Sequence, residues 1–172
     1  MKDAVWSQPV RLAEVGRGPQ RRTLTPSEAD RRRIARELNL VDLPELSAEV
    51  ALAPWMDGAV LRGDWRARVV QTCGVTLDPF ETPLSGSFEI HAVPQGSPAA
   101  PVEEGALELD LEGPEPPDVL EEDRIDPAAY VVEHLALEID PFPRKPGVEF
   151  VAPEPETEVS PFAALLELKP RP

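Results

Sequence analysis

Cys73 is the one cysteine of the chain, and His91 and His134 are its two histidines. A cysteine beside a histidine can act as a thiolate nucleophile, the imidazole taking its proton. That chemistry needs positive charge near the thiol and an open approach to it. The residues leading to Cys73 predict neither. Leu61, Gly63, Trp65, Ala67, Val69 and Gln71 alternate onto its side of a strand, and Arg68 falls on the other. Cys73 therefore reads as a small buried hydrophobe at a strand end. His91 falls on the polar side of a later strand, and His134 lies within a helix. No Gly-x-Ser-x-Gly elbow, phosphate-cradling Gly-rich loop or His-Glu-x-x-His is present. One cysteine also excludes an internal disulfide and a cysteine-only zinc site within one chain. No catalytic residue, metal or cofactor is assigned. Binding is the expected mode of action, and a small cysteine-dependent enzyme or redox protein using Cys73 is the reading from a different class.

The residues able to bind are basic. Arg62, Arg66 and Arg68 form a ladder on one side of the same strand, and Trp55 precedes it. Such a surface could touch RNA phosphate while Trp55 stacks on a base. The competing reading is that acidic neighbours on adjacent strands pair with the ladder, as cross-strand charges commonly do. Arg32 and Arg36, four apart on a helix, carry the same two readings.

Charge divides the chain. Residues 1–68 hold 12 Lys and Arg against 10 Asp and Glu, whereas 69–172 hold 5 against 22. The net is −15. The acidic half repels nucleic acid, so an RNA contact should come from the first half. The acidic half could attract a basic protein, or it could simply maintain solubility. The start of the chain, Met1 to Trp6, shows no export signal, and no apolar run of about 18 residues exists. A reducing cytoplasm is the expected compartment.

These side chains need elements to position them. Val5 to Val15 predicts a first strand, followed by a turn at 16–19. Thr25-Pro26-Ser27-Glu28 predicts a capping box opening a helix to about Leu38. Leu46 to Leu52 alternates as a strand. Pro54 to Gly58 predicts a turn in which Asp57-Gly58 supplies the positive φ. A long strand follows to Cys73, with Gly63 marking a bulge. Leu84 to Ala92 pairs back as a hairpin, and Leu107 to Glu112 is an acidic-faced strand. Asp126-Pro127 caps a helix with Ala128, Val131, Val132, Leu135 and Ile139 buried, and Tyr130 and Leu137 partly covered as well. Residues 1–150 form one domain. Residues 151–172 are an acidic, proline-rich linker and a short C-terminal helix from Ser160. The fold class is α+β: an antiparallel sheet of about five or six strands, curled towards a barrel, with two main helices and that short third.

Four segments, in order along the chain, resemble one family. Gln71-Thr72-Cys73-Gly74-Val75-Thr76-Leu77-Asp78-Pro79-Phe80 resembles the signature of the YceD family, bacterial proteins linked to accumulation of large-subunit (23S) ribosomal RNA. Leu38-Asn39-Leu40 through Leu43-Pro44-Glu45-Leu46 is similar to a second segment. Arg124-Ile125-Asp126, Val132-Glu133-His134-Leu135 and Asp140-Pro141-Phe142-Pro143-Arg144-Lys145-Pro146-Gly147 make a third, and Ser160-Pro161-Phe162-Ala163 a fourth. Many members carry Cys-x-x-Cys where this chain has Cys73-x-x-Thr76. A threonine hydroxyl is a poor zinc ligand and forms no disulfide, so neither role is inherited. The resemblance implies a non-catalytic part in ribosome biogenesis. The partner would be ribosomal RNA or a basic ribosome-assembly or RNA-processing protein. Cys73, Asp126 and Glu133 are carried over as positions inside its motifs.

Overall fold

The computed structural model describes residues 4–101, 116–120 and 122–150. Five strands form one sheet in the order β2 (Gln20–Leu24), β3 (Asp42–Trp55), β4 (Gly58–Thr72), β5 (Pro79–Pro94), β6 (Asp118–Leu120). Neighbours are antiparallel except β5 and β6, which run parallel over Ala92–Pro94. The sheet is therefore mixed and open, not wholly antiparallel, and β2 and β6 at its two edges do not pair. A chain that leaves β5 must cross back to lie parallel to it, which a hairpin turn cannot do. The predicted strand over Leu107–Glu112 and the predicted helix from Ser160 lie outside the described residues.

One face of the sheet is the core. Leu46, Ala48, Val50 and Leu52 of β3 and Leu61, Trp65, Ala67 and Val69 of β4 are buried in alternation. Two helices cover them. Helix α2 (Glu28–Glu37) buries Ile34 and Ala35, and α3 (Pro127–Glu138) buries Ala128, Val131 and Leu135. Each large aliphatic side chain removed from water contributes roughly 1.5–3 kcal/mol, which sets the register of the sheet. A one-residue slip would place the Arg62–Arg68 ladder in the core.

Several expectations are corrected. Only Val10–Arg11 (β1) of the first predicted strand is extended, and it pairs with Arg124–Ile125 (β7) as a separate two-stranded ribbon. Leu12–Val15 is a single helical turn, α1. The buried residues there are Trp6, Val10 and Val15, at intervals of four and five, which no period-two strand can satisfy. The cap of α2 is Ser27, whose Oγ accepts from the Asp30 N–H while Asp30 accepts from the Ser27 N–H. Pro26 holds Thr25 extended, so the helix begins two residues later than the Thr25 box predicts.

The β3–β4 turn takes its positive φ at Met56 (51°), not at the Asp57-Gly58 pair. Gly58 is needed for space instead: a Cβ there would lie 2.0 Å from the Ala92 carbonyl oxygen. Gly63 makes no bulge. It pairs in register with Val50 and Phe88, and a Cβ would meet Phe88 Cζ at 2.4 Å. One row along, Trp65 lies over Gly86 in the same way. Glycine and aromatic thus exchange places across the β4–β5 pair, each ring filling the space its partner leaves. The cover over α3 is also less complete than predicted, since Leu137 is 76% exposed.

Candidate interaction surfaces

Cys73 follows the last residue of β4 and opens a turn, and its side chain is fully buried (0% exposed). Its Sγ accepts from the backbone N–H groups of Val75 (3.4 Å), Thr76 (3.5 Å) and Lys145 (3.4 Å). Those donors, Lys145 foremost and then Thr76, hold the thiol down at about 6 against the opposing effect of burial. Thr76 Oγ1 also accepts from the Asp78 N–H. The residue in the second cysteine's place therefore serves the turn itself.

The Lys145 bond is one strand of a clasp. The Gly74 N–H donates to the Pro143 carbonyl at 2.8 Å, and Gln71 Nε2 donates to the Asp140 carbonyl at 2.9 Å. Two family-like segments, 71–80 and 140–147, are thereby joined across the fold. Between them lies a cleft of about 550 Å³ lined by Val75, Leu77, Phe142, Pro143 and Phe150, among others. The Phe142 N–H donates to Asp140 Oδ1, forming an Asx turn that aims the ring outward. In the sequence, Pro141-Phe142-Pro143 stands as part of a family-like segment, with no cleft expected there. A large aromatic between two helix-stopping prolines was the available signal.

Asp126 is structural and does more than cap α3. Its Oδ1 accepts from the N–H groups of Ala128 (3.1 Å) and Ala129 (3.4 Å). The same carboxylate accepts from the Gln8 N–H and the Ser7 hydroxyl, tying the start of the chain to the helix. Glu133 is exposed on α3. His134 stacks on Phe88 (centroids 4.4 Å apart, 25° between planes), with Nδ1 2.9 Å from the Tyr130 carbonyl. Tyr130 donates to Asp118 of β6, and burial and then that carboxylate push its phenol pKa up. Among the described residues no group of three His, Cys, Asp or Glu side chains could hold a metal. No described helix is long and apolar enough to cross a membrane.

The arginine ladder stands on the outer face of the sheet, already paired. Arg62 binds Glu89 with two contacts, 2.7 and 3.1 Å, which raise the Arg62 pKa and lower that of Glu89. Arg68 lies between Glu45 (3.1 Å) and Glu81 (3.2 Å), and Arg66 donates to Ser47. Asp64, between Arg62 and Arg66, makes no salt bridge among the described residues. Trp55 rests against His91, centroids 4.5 Å apart. On α2, Arg32 pairs with Glu28, and Arg36 donates to the Arg32 carbonyl. The structure does not bring Arg32 and Arg36 into any contact with the strand ladder.

An open-sheet α+β domain, with two motif-bearing segments clasped around a buried cysteine, is the class of protein these features define. The chain belongs to the YceD family, described as large ribosomal RNA subunit accumulation protein, whose model matches residues 61–169. The match runs from β4 onward and leaves out the Leu38–Leu46 segment. No curated protein and no solved structure matches the chain.

Proposed function

We propose that the protein is a non-catalytic ribosome-biogenesis factor that supports accumulation or processing of 23S ribosomal RNA by binding a basic ribosomal or RNA-processing protein. The observation that carries this reading is the state of the charges. The arginines best placed to meet phosphate already face Glu89, Glu45 and Glu81, while residues 69–172 hold 22 acids against 5 bases. A surface of that sign attracts a basic protein and repels an RNA backbone. The family description supports the ribosomal setting. Burial of Cys73 argues against a thiol enzyme, since a nucleophile needs access.

Direct contact with ribosomal RNA through the basic first half is the competing mechanism. Depletion of the protein followed by gradient profiling tests the setting: 23S RNA and large subunits should fall, and unchanged profiles would sink the proposal. A crosslinked pull-down treated with ribonuclease tests the mechanism. A basic protein should remain bound, whereas recovery of RNA alone would favour direct contact.

A further inference from the structure

We infer that the apolar cleft beside the Cys73 turn docks a basic protein segment carrying an aliphatic or aromatic anchor. This rests on the reading above and names where its partner sits. Leu77, Phe142 and Phe150 line the cleft and are 75%, 79% and 70% exposed. Single exposed apolar residues need no explanation, but three large ones around one concavity mark an interaction site.

The surface is built rather than loose. The Gly74–Pro143, Gln71–Asp140 and Lys145–Cys73 bonds fix both sides of it. Phe142 stands between two prolines, so its backbone has little freedom left to lose on binding. Leu77 holds a left-handed backbone conformation, φ 63°, that leucine rarely adopts. Strain of that kind persists where the surroundings impose it, and it clusters at ligand clamps.

Charge chooses the occupant. Asp78 follows Leu77, Glu138 and Asp140 precede Phe142, Glu149 precedes Phe150, and Asp42 pairs with Val70 at the same end of β4. All five are exposed on the segments that flank the cleft, and they outnumber its two cations, Lys145 and Arg144, the latter the one charged side chain in the lining itself. A basic segment is favoured there, and phosphate is repelled. A second copy meeting this face through a two-fold axis would bring the same acids together.

Three short peptides test the inference against the full chain, with amide shifts followed by NMR. One places Leu and Phe between lysines, one replaces Leu and Phe by Ser, and one replaces the lysines by Gln. The first should bind with shifts centred on residues 73–78 and 140–150. Each replacement should weaken binding roughly tenfold or more, as should Leu77→Asn and Phe142→Ser in the protein. Both side chains are exposed, so neither variant should melt below wild type. Equal binding by the Ser peptide overturns the inference, as do shifts centred on the Arg62–Arg68 face. So does failure of the first peptide to bind because residues 151–172 or a second copy fill the cleft. In depleted cells, the double variant should fail to restore 23S RNA. Full rescue would remove this surface but leave the ribosomal reading standing, whereas unchanged 23S RNA on depletion would remove that reading itself.

Discussion

Leu77 and Cys73 sit four residues apart, and each is set by backbone rather than by side-chain partners. The Leu77 N–H donates to the Cys73 carbonyl, which closes the turn and holds Leu77 at positive φ. Asn tolerates that region better than Leu because its short polar side chain can bond locally. Leu77→Asn should therefore leave stability unchanged or raise it by up to about 1 kcal/mol, read from urea midpoints. A clear loss would mean that Leu77 packs in a way its exposure does not suggest. Cys73 gives a pH prediction. Its folded pKa of about 6 lies below the usual value of about 8.5. A depressed pKa adds stability that is present above the unfolded value and is lost as pH falls through the folded one. The advantage of wild type over Cys73→Ala should thus grow between pH 6 and pH 9. A difference that stays flat over that window would show a thiol that remains neutral in the fold. Native labelling of the thiol should stay slow throughout, because access and not thiolate fraction limits it.

At the scale of elements, Asp126 and Gly63 each serve two segments at once. Asp126→Ala removes the α3 cap and the tie to Ser7 and Gln8 together. An N-cap alone is worth about 0.5–2 kcal/mol, so the loss should reach the top of that range. Asp126→Asn, which still accepts, should recover part of it in the same denaturation series. Gly63→Ala pushes a methyl into Phe88, and His134 stacked on that ring limits its retreat. Overpacking of this kind costs about 1–3 kcal/mol. The double variant Gly63→Ala/Phe88→Leu should recover part of that loss, which a purely conformational effect of alanine would not allow. The alternation of β4 and the Asp-Pro opening of α3 were legible because burial period and capping are local. The role of Gly63 was not, since its reason is a ring 25 residues away in a neighbouring strand. The cap of α2 was misplaced by two residues because Thr25 and Ser27 both satisfy the local pattern. The Cys73–Lys145 clasp and the Asp126–Ser7 tie join residues 72 and 119 apart, and no short-range signal announces them. The apolar side of the Cys73 strand was readable, whereas the cleft that two distant segments build beside it was not.

For the whole molecule, one charge distribution should act with opposite sign on stability and on binding. A net charge of −15 makes the compact state repel itself. Raising salt from about 0.05 to about 0.5 M shortens the screening length to a few ångströms, which relieves that repulsion. The Arg62–Glu89 and Arg68–Glu45 pairs are weakened by the same salt, but they are exposed and individually minor. The melting temperature should therefore rise with salt. A fall would mean that the paired sheet face outweighs the acids of residues 69–172. Binding of a basic segment at the Leu77–Phe142 cleft should weaken over the same range, leaving its apolar anchor as the part that salt does not remove. Charge reversal at Arg62, Arg66 and Arg68 separates the two mechanisms. If ribosomal RNA lies on the sheet face, the triple variant should lose RNA binding and lower its salt slope. If a basic protein docks at the cleft, the same variant adds negative charge at a distance. Partner binding should then hold or tighten slightly while RNA retention stays as low as in wild type. The two outcomes differ in sign, so one filter-binding series and one pull-down at matched salt decide between them.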